Sequence, residues 1–128
     1  MSPARRFSKP VMAALAKDKI LGVRAGSDST HKFIGVWFVV VDGRLFIRSW
    51  GLERRSWYTA FCEDPVGTIQ VAGRELKVRA VTSLPEKTKA AVDAAYAEKY
   101  DTPGAIKYVK GFARSKRRRD RTTELLPY

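Results

Sequence analysis

The side chains of this chain that could carry chemistry are few and unevenly placed. One histidine, His31, and one cysteine, Cys62, are too little for a Cys/His nucleophile pair or a metal site without unusual partners. His31 stands at the entrance of an apolar stretch, where a lone imidazole is more often structural or solvated. The paired acids Glu63-Asp64 adjoin Pro65 and read as punctuation between a helix and a strand. G-x-G-x-x-G, P-loop, C-x-x-C and H-E-x-x-H motifs are all missing. The outstanding feature is charge: 25 Lys and Arg oppose 13 Asp and Glu, a net charge of +12, with much of the excess in residues 44–55 and 107–121. Such a field attracts anions without choosing between nucleic acid, lipid and a small phosphorylated ligand. A solvated basic surface is the equally simple reading. With no self-sufficient catalytic constellation, an enzymatic role calls for a cofactor that brings the chemistry.

The elements that must position these residues centre on residues 31–81. Phe33-Ile-Gly-Val-Trp-Phe-Val-Val-Val41 is apolar at both alternating sets of positions, as a strand covered on two sides would be. Asp42-Gly43 predicts a type I′ hairpin turn, and Arg44-Leu-Phe-Ile-Arg-Ser49 the returning strand. Ser56 can cap a short helix over residues 57–63, in which Trp57 and Phe61, and Tyr58 and Cys62, pair at i,i+4. A second hairpin follows: Val66-Gly-Thr-Ile-Gln-Val71, the turn Ala72-Gly73, then Arg74-Glu-Leu-Lys-Val-Arg-Ala80 with apolar and charged residues alternating. Two hairpins bridged by one helix predict a strongly curved sheet closing as a small barrel.

Outside this block, Ser8-Lys9-Pro10 opens an N-terminal helix within residues 1–18, and residues 19–25 read as a first strand. Gly26-Ser-Asp-Ser-Thr30 is a polar turn. A helix runs from Pro85-Glu86 to about Tyr100 with a Val92, Tyr96, Tyr100 stripe that suits core packing, and residues 105–112 add one or two further turns. Residues 114–121 read as a basic loop and residues 122–126 as a closing strand. The whole is one domain of 128 residues, 45% hydrophobic and therefore folded. No run approaches the roughly 18 apolar residues of a membrane span, and the first residues lack the apolar core of a signal peptide. A single cysteine on an apolar helix face suggests a buried, reduced thiol, which together predicts a cytoplasmic protein with no membrane partner.

Short motifs in a fixed order then point to a family. Ser56-Trp-Tyr58, Asp64-Pro-Val66, Ile69-Gln-Val71 with Gly73, and Val78-Arg-Ala80 resemble the deazaflavin-dependent nitroreductases. Residues 39–51, with Arg48-Ser49 and Gly51, resemble an uncharacterised bacterial branch of the same FMN-binding split-barrel superfamily, the pyridoxamine 5′-phosphate oxidase-like proteins. So do Ala94-Ala-Tyr96, Lys99-Tyr100 and residues 122–127. The resemblance spans about residues 20–127 and implies an α+β fold: a six-stranded antiparallel split β-barrel with flanking helices. It further implies a homodimer, with FMN or a deazaflavin in an interfacial cleft and hydride transfer to a small organic acceptor. The chain departs from the nitroreductases at Ala25-Gly-Ser-Asp-Ser-Thr-His-Lys32, where Asp28 stands in place of a basic phosphate-contacting residue.

On that resemblance, Arg48, Arg54 and Arg55 are the expected phosphate clamp, since arginine offers paired charged donors. Ser49, Ser56 and Thr30 are expected to add neutral hydrogen bonds, and Trp50 and Trp57 to wall the ring, although core or dimer packing would explain either tryptophan. Two other readings remain open at this point. One is a non-redox barrel module for another phosphorylated or aromatic ligand. The other is a basic nucleic-acid-binding protein, for which only weak, sequence-independent binding is expected because the run 114–121 lacks interleaved aromatic residues.

Overall fold

The computed structural model describes residues 6–27 and 30–128. Its six strands form one closed antiparallel barrel in the order β1-β2-β3-β6-β5-β4, with β1 Ile20–Ala25, β2 Ile34–Val41, β3 Arg44–Ile47, β4 Val66–Val71, β5 Arg74–Val81 and β6 Thr123–Pro127. The helices are α1 Lys9–Lys17, α2 Trp57–Glu63, α3 Glu86–Lys99, α4 Pro103–Arg114 and α5 Lys116–Asp120. The α+β fold and six antiparallel strands expected from the sequence are therefore present. Both predicted turns have positive φ at their two central residues: 52° and 76° at Asp42-Gly43, and the same pair at Ala72-Gly73. That conformation matches the right-handed twist of the flanking strands. Alanine lacks the local side-chain compensation that Asp42 has, so Ala72 is held left-handed by the tertiary pairing of β4 with β5.

The alternation of β2 divides the apolar residues between two cores. Val36 and Phe38 point into the barrel and join Leu21, Val23, Leu45, Ile47, Ile69, Val78 and Leu125, closed off by Val11 and Leu15 of α1 and by Trp57 and Phe61 of α2. Val39 points outward and meets Phe46, Val92, Tyr96, Tyr100, Val109 and Phe112 beneath α3 and α4, with Trp37 packed against them. Each fully buried side chain of this size contributes roughly 1.5–3 kcal/mol. The stripe of α3 is core, as its spacing suggested. Two-sided cover of β2 starts only at Val36: Ile34 is 53% exposed and Gly35 is also exposed, where the strand emerges from under the helices.

Three expectations are corrected. Cys62 is exposed rather than buried, because α2 turns Trp57 and Phe61 into the barrel and its next face outward. The stretch 114–121 is not a loop: α4 runs to Arg114, and Ser115 caps α5, its hydroxyl accepting from the Arg118 amide. The one or two turns expected of residues 105–112 are a twelve-residue helix, with Ala105, Val109 and Phe112 on its buried face. Among the described residues no helix is long and apolar enough to cross a membrane.

Candidate functional site

A cleft of about 480 Å³ opens between the start of β2, the segment that follows β3, the start of α2, and α4. Its position follows from the two cores. As β2 leaves the helical layer it uncovers Ile34 and Gly35, and the chain leaving β3 crosses the gap before Ser56 caps α2. Ser56 and Thr59 form a reciprocal capping box, the Ser56 hydroxyl accepting from the Thr59 amide and the Ser56 amide donating to the Thr59 hydroxyl at 3.0 Å. That bond fixes the direction in which Trp57 enters the barrel.

The walls are aromatic. Trp37 stacks on Tyr100, ring centroids 4.3 Å apart at 6°. Tyr108 stands edge-on to both Trp37 and Trp50, at 6.0 and 5.0 Å, and Phe112 edge-on to Trp50 at 5.6 Å. Such edge-to-face pairs are worth about 0.5–1.5 kcal/mol each beyond their buried area. The phenol of Tyr100 accepts from the Phe38 amide at 3.0 Å and donates to the Lys19 carbonyl at 2.6 Å. Burial pushes its pKa up to about 12, so it is a neutral hydrogen-bonding group at physiological pH.

Six of the eight residues expected from the sequence line this cleft: Arg48, Ser49, Trp50, Arg55, Ser56 and Trp57. Arg54 and Thr30 are exposed and do not line it. Asp28, the departure from the nitroreductase pattern, lies outside the described residues. Arg48 differs most from its expected part. Its guanidinium is fully buried, Nε donating to Thr122 Oγ1 at 2.7 Å, Nη1 to Asp93 and to the Phe112 carbonyl, and Nη2 to the Lys89 carbonyl at 2.9 Å. Four of the five guanidinium N–H donors are thereby committed within the protein. Arg48 supports the floor of the cleft, and Arg55, which forms no ion pair with any described residue, is the cation available at its mouth. The Ser49 hydroxyl donates to the Gly51 carbonyl at 2.6 Å, shaping the segment it belongs to. Glu53 puts one carboxylate on the rim.

Sequence reasoning missed Ile34, Gly35, Trp37, Tyr108 and Phe112 as cleft residues. Tyr108 and Phe112 carried a signal, an i,i+4 aromatic pair in an amphipathic segment, but that spacing also describes core packing. Among the described residues no three His, Cys, Asp or Glu side chains cluster in a way that could hold a metal ion.

A closed six-strand barrel with flanking helices, carrying a cleft lined in part by aromatic residues, is the class of protein these observations define. Residues 13–125 match the bacterial family DUF2255, described as "uncharacterized protein conserved in bacteria", and the chain belongs to that family. Among solved structures it is similar to the conserved hypothetical protein Rv2991 from Mycobacterium tuberculosis. The TM-score is 0.58 at 13% identity, over 98% of this chain and 82% of that one. At that identity the likeness speaks for the fold alone. No curated protein matches the chain.

Proposed function

We propose that the cleft binds a flavin-type cofactor, FMN or a deazaflavin, and that the protein is an oxidoreductase transferring hydride to a small organic acceptor. The observation that carries this reading is the convergence of Trp50, Trp57 and Arg55 on one aromatic-walled cleft, in a chain whose motifs resemble the deazaflavin-dependent nitroreductases. The residues present fit such a group. Trp50, Trp57 and Tyr108 give the cleft an aromatic lining suited to a planar system, and Arg55 supplies the paired donors a phosphate takes. A bound flavin or deazaflavin would bring the redox chemistry; the chain's part is to bind, orient and keep water away.

Titration with FMN, followed by quenching of tryptophan fluorescence, tests the assignment. Arg55→Gln is expected to weaken binding roughly 10–100-fold, the loss of about 1.5–3 kcal/mol that a hydrogen-bonded charge contributes. Affinity unchanged by Arg55→Gln would remove the phosphate from this mouth.

The same reading includes a homodimer. Ile34, 53% exposed, lines the cleft with the exposed Trp50 and Tyr108, an apolar rim suited to a second copy of the chain. Sedimentation at micromolar concentration is expected to give roughly twice 14.4 kDa. A monomer there would confine any ligand to one subunit's half of the site.

A further inference from the structure

The basic stretch after α4 has a use that its composition conceals. Its cations do not all face solvent; two of them reach residues that line the cleft, and a third ties the run to α3. The guanidinium of Arg118 lies 4.0 Å from the Trp50 ring centroid, and its Nε donates to the Trp50 carbonyl at 2.8 Å. Arg119 pairs with Asp93 and Glu86 of α3. Arg121 donates to the Ser56 hydroxyl at 3.2 Å and reaches the Glu53 carbonyl at 3.4 Å. Between them, the Asp120 carboxylate accepts from Lys89 of α3 at 3.0 Å, and the Asp120 carbonyl accepts from the Tyr58 hydroxyl at 3.2 Å.

We propose that residues 115–121 form a strap that sets the shape of the cleft, with Arg118 as the residue that positions Trp50. Trp50 is 41% exposed, so burial alone does not hold it. It is fixed from two sides. On one side is Arg118. At its outer edge, Gly111 lets the six-membered ring of the indole abut α4: a Cβ there would come within 2.6 Å of the ring. Trp50 thus stands as a wall of defined orientation. The sequence left a weak polyanion surface open for this run, and the cations that reach inward are already engaged within the chain.

The test uses Arg118→Gln, Arg118→Lys and Gly111→Ala in the full chain, with acrylamide quenching of tryptophan emission as the first readout and Trp50→Phe identifying the Trp50 component. Arg118→Gln and Gly111→Ala are expected to increase quenching of that component, and Arg118→Lys, which keeps the cation over the ring, to restore part of the protection. The thermal midpoint of Arg118→Gln is expected to stay close to that of the parent. The second readout rests on the cofactor reading: FMN affinity is expected to fall roughly 5–10-fold in Arg118→Gln, from loss of one cation–π contact and one hydrogen bond. If the parent binds neither FMN nor a deazaflavin, the cofactor reading fails while quenching still decides the strap. Unchanged Trp50 quenching in both Arg118→Gln and Gly111→Ala would overturn it.

Discussion

Arg48→Met is expected to lower the unfolding free energy by about 3–5 kcal/mol, among the largest effects of any single side chain here. The reason is position rather than charge alone. Arg48 is 2% exposed and sits between β3, α3, α4 and the segment leading into β6, bonded to Thr122, Asp93, Phe112 and Lys89. Methionine fills much of the volume but leaves two buried carbonyls and the Thr122 hydroxyl short of a donor, and a half-buried Asp93 with Arg119 as its remaining partner. For a domain of this size the thermal midpoint should fall by roughly 10 °C or more. Adding Asp93→Leu is expected to recover part of the loss, since an apolar replacement of a whole ion pair costs less than a broken one. A loss below about 1 kcal/mol for Arg48→Met would show that these bonds do not hold the helical layer to the barrel.

Gly67→Ala is expected to cost about 2–3 kcal/mol through close approach alone. Gly67 lies in β4 opposite Ala25 of β1 and Val78 of β5, at the seam where the barrel closes. A Cβ there would stand 2.6 Å from the Arg24 carbonyl oxygen and 2.7 Å from the Phe61 ring. The first is backbone and the second a fully buried core ring, so neither yields without moving the seam or α2. Gly104→Ala is the matched control. Nothing comes within 4 Å of its Cβ position, and it lies in the first turn of α4, so alanine is expected to be neutral or to stabilise by up to about 1 kcal/mol. Equal effects of the two substitutions in denaturant unfolding would contradict the close approach at the seam.

The parts of this fold governed by local rules were legible in the sequence. Asp42-Gly43 and Ala72-Gly73 announced their turns, the doubly apolar β2 announced cover on both sides, and Ser56 announced α2. What stayed hidden depended on residues distant along the chain. Arg48 has the chemistry of a ligand clamp, and only its meeting with Asp93, 45 positions away, turns it into a structural tie. The run 114–121 carries too much like charge to suggest a helix. Asp93 and Glu86 of α3 relieve that repulsion at Arg119, and Asp120 relieves it at Lys116. Trp37, Tyr108 and Phe112 obey the periodicity of core residues, and a cleft wall is a core face with one neighbour missing. Tertiary packing alone decides between the two.

The measurement that bears most directly on the cofactor cleft is the visible absorbance spectrum of FMN, and separately of a deazaflavin, during titration with the purified protein. The proposed site predicts a saturable perturbation of the spectrum for at least one of the two, approaching one ligand per chain and weakened by Trp50→Ala. Spectra of both that remain those of the free molecules into the high micromolar range would contradict a flavin-type occupant for this cleft.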